Sequence, residues 1–405
     1  MFETAVPTPG GSAPVITGAP SGRGAVDDTV AMAEHPSVGA AGTAGAALTL
    51  RDQALAALDA GCPTEAIDLV TDAQAVLIWA GLGGGPDEAA VLVARAEIEE
   101  ALDRFGAARA TIGAAIALLG GDAGPGDADL DLLAVWCQAQ ERQAGLERLA
   151  GDFPAAAGRL TGVLDTASAA FGEESSAVTS AANALGVVYK YAGDFDAARA
   201  AYSRALAAAG GLADADPLTQ AALLHNLAGL AHSQGDPVTG IPLAERGLAV
   251  RVSALGSAHP DVARDHNALG ALYHLAGRHR AADHAYRQAL GVFEHSYGPD
   301  HFEVAMTCAN LAVLHADQDQ FPAAEAHGRR ALRILETVLG PGDAEVGLTM
   351  LNLALAVAGK GRRDEAIMMA ARAQVILSAR LPAGHPHRTA ASDVMTQLRK
   401  PSCDA

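Results

Sequence analysis

An all-α solenoid of about eight helix-turn-helix hairpins is the fold class that the sequence predicts, and three observations predict it. The first is a turn that recurs at Gly61, Asp103, Gly151, Gly193, Gly235, Gly277, Asp319 and Gly361, each step being 42 residues except the one from 103 to 151, which carries six extra. The second is a very small residue five positions after every turn, at Ala66, Ala108, Ala156, Ala198, Gly240, Ala282, Ala324 and Ala366. Seven residues further, two helical turns along the same face, come Ala73, Ala115, Val163, Ala205, Gly247, Ala289, Ala331 and Ala373. Small side chains there let two helix backbones approach closely. The third is composition: 50% of residues are hydrophobic but only 4% aromatic, so the core has to come from close helix contacts and from alanine, the best helix former. Two helices cannot bury their inner faces alone, so hairpins of this kind persist by stacking on their neighbours.

Taken in order, residues 1–43 are a proline, glycine, serine and threonine mixture without helical or strand period, read as a disordered leader. With Glu3 and early prolines the leader does not look like a secretory signal. Residues 44–385 hold the eight hairpins, the first spanning Leu48 to Gly81 with nothing preceding it to act as a cap. The surplus of six residues falls in GGDAGPGDAD, residues 120–129, a loop where insertion costs little closure entropy. The clearest copy of the repeat is residues 259–300, with helical patterns over Val262 to Ala276 and Arg280 to His295. It ends at Tyr297-Gly298-Pro299-Asp300, where glycine permits positive φ and proline cannot continue a helix. Residues 386–405 form a terminal capping helix and short tail, the helix running from His385 to Lys400.

The pattern Leu269-Gly270-Ala271-Leu272-Tyr273, a turn, then alanine five and twelve positions on resembles the tetratricopeptide repeat. The 42-residue period and the joints Leu255 to Ala263 and Tyr297 to Ala305 are similar to the kinesin-light-chain subtype. The resemblance covers about residues 45–387, and is strong from 174 onward. Before 128 the motif decays to Gln53-Ala54 and Arg95-Ala96. It implies a right-handed superhelix whose concave groove binds protein or peptide segments and is lined by the leading helix of each hairpin.

Registered on Leu185, Leu227, Leu269, Leu311 and Leu353, the groove positions implied by the resemblance lie five and two before and two, five and six after. The fourth hairpin then offers Ser180, Asn183, Val187, Lys190 and Tyr191, and the fifth Ala222, His225, Gly229, His232 and Ser233. The sixth offers Arg264, Asn267, Ala271, His274 and Leu275. The last two are mostly apolar, through Met306, Ala309, Val313, Ala316 and Asp317, then Leu348, Leu351, Leu355, Ala358 and Gly359. The candidate ligand-binding residues are therefore Ser180, Asn183, Lys190, Tyr191, His225, His232, Arg264, Asn267 and His274. An amide donates to and accepts from a peptide unit at once, which suits Asn183 and Asn267 to holding a ligand backbone. The alternative for these and for Asn226, Asn310 and Asn352 is a hydrogen bond that fixes one helix on the next.

The balance of 28 basic to 47 acidic residues, net −19, argues against nucleic acid or an anionic membrane as partner. The expected partner is a protein or peptide segment, basic or amide-rich with an apolar end, although the polar hairpins would also accommodate an acidic end. Absence of a long apolar run argues against a membrane span. Cys62, Cys137, Cys308 and Cys403 form no C-x-x-C pair, which points to a reduced, cytoplasmic setting, and Cys308 reads as an inert core thiol.

Histidine invites the one enzymatic or metal-binding alternative, since His225, His232 and His274 all register to the groove. His225 and His232 are seven residues apart, about 10 Å along a helix and too far to share a metal, and no carboxylate at ligand spacing accompanies them. His259, His301 and His385 stand at joints where a helix-start role accounts for them. The glycines at 81–85 and 120–121 follow no strand and supply no phosphate-loop lysine. The reading is a non-catalytic scaffold without cofactor, with a peptide-responsive sensor as a second alternative.

Overall fold

A computed structural model describes residues 40–59, 62–102, 104–126, 129–211, 216–381 and 386–400. All regular elements among them are helices, and they fall into two compact units, Met1–Ala215 and Asp216–Ala405. The helical-repeat fold expected from the sequence is the fold observed. The first unit holds four hairpins: α1 (Ala40–Asp59) with α2 (Pro63–Trp79), α3 (Pro86–Ala101) with α4 (Phe105–Leu118), α5 (Leu130–Leu149) with α6 (Phe153–Phe171), and α7 (Ser176–Ala192) with α8 (Phe195–Gly211). The second holds α9 (Pro217–Ser233) with α10 (Pro237–Leu255), α11 (Pro260–Leu275) with α12 (His279–Tyr297), α13 (Phe302–Ala316) with α14 (Phe321–Val338), α15 (Ala344–Gly359) with α16 (Arg363–Arg380), and a last helix α17 (Pro386–Arg399). Helix α1 begins inside the stretch read as leader; residues 1–39, the turn positions Gly61 and Asp103, His385 and Cys403 lie outside the described residues.

The turns occur where the period places them, and their backbone shows why. Gly151, Gly193, Gly235, Gly277 and Gly361 adopt φ of 79°, 81°, 70°, 70° and 79°, the left-handed region that glycine enters without a Cβ clash. Asp319 takes the same role with φ of 55°, the one non-glycine residue of positive φ among the described residues. Helix starts are built from side chains that accept the orphan amides of the first turn. Asp129, Ser175, Asp216, Asp236 and Asp343 do so, and so do two of the joint histidines. His259 Nδ1 accepts from the Asp261 amide at 3.1 Å, and His301 Nδ1 from the Glu303 amide at 3.2 Å.

Every small residue at the two repeat positions is buried. Close approach is the cause: a Cβ on Gly247 of α10 would lie 3.3 Å from the Ala221 carbonyl oxygen on α9. The leucine-glycine pair of the leading helix packs on an aromatic ring of the trailing one. A Cβ on Gly186 would stand 2.6 Å from the Tyr202 ring, and one on Gly270 would stand 2.7 Å from that of Tyr286, both rings being buried. Cys308 shares the buried core of the last hairpins, and burial pushes its thiol up to about 11, the character of an inert core side chain. Helix α17 lays Ala391, Met395 and Leu398 into that same core, against the last hairpin. In the first unit the insertion folds into a short 3-10 turn, Gly121–Ala123, held because Trp136 Nε1 donates to the Gly121 carbonyl at 2.8 Å.

Candidate functional site

The leading helices carry the candidate residues, and the repeat period explains their alignment. Glu141, Asn183, His225 and Asn267 stand one period apart, as do Arg148, Lys190, His232 and His274 in the last turns of α5, α7, α9 and α11. A cation in the last helical turn also complements the helix dipole, which gives the second row a local reason to exist. Both rows divide between the two compact units, so each half is built separately.

In the first unit α7 presents Ser180, Asn183, Lys190 and Tyr191, Ser180 exposed and the other three half-buried. Ser180 Oγ donates to Glu141 Oε2 on α5 at 2.5 Å, and the Arg148 guanidinium lies over the Tyr191 ring at 4.8 Å. Arg142 reaches from α5 to α3, with Nη2 at 2.5 Å from Glu97 Oε2 and Nη1 at 3.4 Å from Glu100 Oε1. Burial pushes the Glu141 carboxyl up to about 7, against the opposing Ser180 hydrogen bond and Arg142 charge, and burial likewise raises Glu100. Three carboxylates thus lie on the leading helices α3 and α5, in hairpins from which the sequence reading drew no candidate residue.

In the second unit His225 and His232 lie on α9, and Arg264, Asn267 and His274 on α11. Their bonds run from one leading helix to the next. His225 Nδ1 is 2.8 Å from Asp265 Oδ1, which also accepts from Arg251 Nη1 at 2.5 Å. Arg264 Nε donates to Glu303 Oε1 at 2.9 Å and its guanidinium also meets Asp261. Asn267 Oδ1 accepts from Asn310 Nδ2 at 3.0 Å, and His274 Nε2 is 2.8 Å from Asp317 Oδ2. His232 is half-buried in the last turn of α9.

Two expectations change here. Carboxylates do accompany the histidines, but from the following hairpin: Asp265 meets His225 and Asp317 meets His274. The imidazoles, and Arg264 through Glu303, are thus already bonded to carboxylates within the repeats, which removes the ground for an acidic ligand end. Among the expected apolar groove positions, Ala271, Met306 and Leu351 are only 7%, 6% and 4% exposed. Met306 and Leu351 belong to the core shared by the last three hairpins, where the next leading helix packs over them. Glu141, Asp265 and Glu303 were not singled out in the sequence. The period held the signal for one of them, since one step back from Asn183 reaches Glu141, in a hairpin whose leucine-glycine motif has decayed.

Chemically, the arrangement can offer paired amides, imidazoles and carboxylates to a polypeptide. Among the described residues no group of three or more histidine, cysteine, aspartate or glutamate side chains is placed to hold a metal ion. No described helix is long and apolar enough to cross a membrane.

Curated proteins give no match to the chain. Among solved structures, BtubC (BKLC) from P. vanneervenii is similar at 24% identity and a TM-score of 0.46, over 62% of this chain and 92% of that one. A Signal Transduction ATPase with Numerous Domains (STAND) protein with a tetratricopeptide repeat sensor, from Pyrococcus horikoshii, is similar at 12% identity and a TM-score of 0.58, over 87% of this chain and 48% of that one. A Rap protein complexed with Competence and Sporulation Factor is similar at 14% identity and a TM-score of 0.53, over 77% and 85%. Residues 136–210, 219–295, 285–337 and 303–376 match the tetratricopeptide repeat, and since those stretches together span more than half of its length, the chain belongs to the tetratricopeptide repeat family.

Proposed function

We propose that the leading helices form a non-catalytic binding surface for a segment of another protein or a peptide, the chain acting as a scaffold or adaptor. The observation that carries this reading is the row of Glu141 and Asn183 in one unit and His225 and Asn267 in the other, polar side chains repeated at one period on leading helices. A ligand backbone running along the half-row of either unit meets a donor or acceptor at each of its hairpins, a mode that tolerates varied ligand side chains. The net charge of −19 favours a basic or amide-rich segment over an acidic one. The half-buried Val313, Leu348 and Leu355 suit an apolar end. A Rap protein of this fold has been solved with Competence and Sporulation Factor bound, which supports a partner held by the repeats.

The test is selection of peptides from a random display library against the full chain, followed by calorimetric titration. Selected peptides should lose at least tenfold in affinity with Asn183→Ala or Asn267→Ala, about the worth of one buried hydrogen bond. Peptides that bind equally well to both variants would contradict the assignment. A sensor role is favoured by the bonds between leading helices, since a ligand that replaces the Asn267–Asn310 bond would change the spacing of α11 and α13.

A further inference from the structure

We propose that His315 and Asp283 form a proton-operated lock between the sixth and seventh hairpins, closed when a proton occupies His315 Nε2. His315 lies in the last turn of α13 and is buried. Its Nδ1 is 2.8 Å from Gln320 Oε1, and an amide oxygen only accepts, so Nδ1 carries a proton. Its Nε2 lies 3.5 Å from Asp283 Oδ1 of α12. Both of those atoms are buried and neither has a hydrogen-bond partner. With a neutral imidazole, two acceptors confront each other; one added proton turns both orphans into a charge-assisted pair.

The surrounding groups favour His315 as the residue that takes the proton. On α12, Asp283 Oδ2 accepts from Arg287 Nε at 2.7 Å, which fixes the orientation of the carboxylate. On α14, the His327 ring stacks on His315 with centroids 5.5 Å apart, and burial, then His315, Arg287 and Arg330, hold His327 below its ordinary range, so it stays neutral. Glu325 of α14 is occupied by Arg329, Arg362 and by Lys360, which follows α15. Glu345, in the first turn of α15, lies at the far end of that helix from Lys360. Just past the end of α13, Asp317 is engaged by His274 of α11.

Closing the lock joins α12, α13 and, through Gln320 at the start of α14, the turn at Asp319, which among the described residues is the one whose left-handed residue is not glycine. Because the bond between Nε2 and Asp283 exists only with that proton in place, falling pH favours the closed form. The other end of α13 responds in the opposite sense, because His301 caps it through an unprotonated nitrogen and burial lowers its proton affinity. Because Asp317 ties the same turn to α11, the lock would also set the spacing of α11 and α13; only that consequence rests on the proposed binding surface.

Hydrogen–deuterium exchange on the free full chain, corrected for intrinsic rates, tests the lock without any ligand. Between pH 8 and pH 6, protection around Gln318–Gln320 and the start of α14 should rise about tenfold, the effect of one charge-assisted bond. Protection at the start of α13 should fall over the same range. Asp283→Asn, whose amide can donate to a neutral Nε2, should abolish the first change and leave the second. Equal protection at both pH values, or an unchanged response in Asp283→Asn, would overturn the lock. Should that variant not fold, the titration of the His315 ring signals by NMR in the unaltered protein decides: midpoints of ring and protection that coincide support the lock, and midpoints that differ overturn it.

Discussion

Replacing Gly270 by alanine adds one methyl group at the glycine–tyrosine contact that the fourth and sixth hairpins share. In an exposed helix interior this change stabilises by about 1 kcal/mol, because glycine loses more backbone freedom on folding. Here the new Cβ would stand 2.7 Å from two ring carbons of Tyr286 and 3.0 Å from a third. Carbon atoms in contact prefer about 3.5–4.0 Å, so roughly 1 Å of separation has to be found. Tyr286 is 0% exposed, and its ring cannot swing into solvent. Overpacking of this kind costs about 1–3 kcal/mol, which offsets the helix gain of about 1 kcal/mol and leaves a net loss of up to about 2 kcal/mol. The assay is urea unfolding followed by circular dichroism, carried out as a cycle with Tyr286→Leu, which makes room for the methyl group. In the Tyr286→Leu background, Gly270→Ala should be neutral or stabilising, with a coupling of about 1–3 kcal/mol between the two sites. If Gly270→Ala stabilises the protein while Tyr286 is present, the packing argument is wrong, and with it the account of Gly186 against Tyr202.

Three further outcomes follow from charges and backbone. Glu141, with its folded value raised to about 7, favours its protonated form when folded, so the first unit loses stability as pH rises from about 4.3 through 7. Glu141→Gln should then stabilise that unit by about 1–2 kcal/mol at pH 8 and by little at pH 4, read from fluorescence of the buried Trp136 during urea unfolding. Glu325 is held down to about 2, chiefly by its bond from Lys360, so its contribution is present above about pH 4.3 and lost as pH falls towards 2. Glu325→Gln should cost about 1–3 kcal/mol at pH 7, and acid titrations of variant and unaltered protein should converge near pH 2. Asp319→Gly relieves a left-handed backbone at φ of 55° and should stabilise the second unit by about 0.5–1 kcal/mol in thermal unfolding.

Much of the fold was legible because it rests on local chemistry repeated at a fixed interval. Gly193 and Gly277 mark turns since only glycine enters that backbone region without penalty, and Ala205 and Ala289 mark contacts since only a small side chain fits there. His259 and His301 could be read as helix starts from their place before the first turn. The candidate surface was less legible because its bonds join residues about one period apart, and sequence spacing does not show which pairs meet. His225 and Asp265 are 40 residues apart, His274 and Asp317 are 43 apart, and Ser180 and Glu141 are 39 apart. Met306 and Leu351 occupy the same kind of register position as Arg264 and Asn267, yet are buried, because the apolar neighbours of α13 and α15 close over them. Helix α1 starts ahead of the expected boundary because alanine and glycine at 40–45 carry no periodic apolar signal to mark a helix.

The central claim is that the leading helices, and not the trailing ones, receive a partner segment. Site-specific photo-crosslinking with a selected peptide tests it most directly, with the crosslinker placed in turn at Asn183, His225 and Asn267 and at the exposed trailing-helix positions Ser203, Arg246 and Gln288. The account predicts peptide adducts from at least one of the first three positions and none from the last three. Adducts from Ser203, Arg246 or Gln288 alone would contradict it.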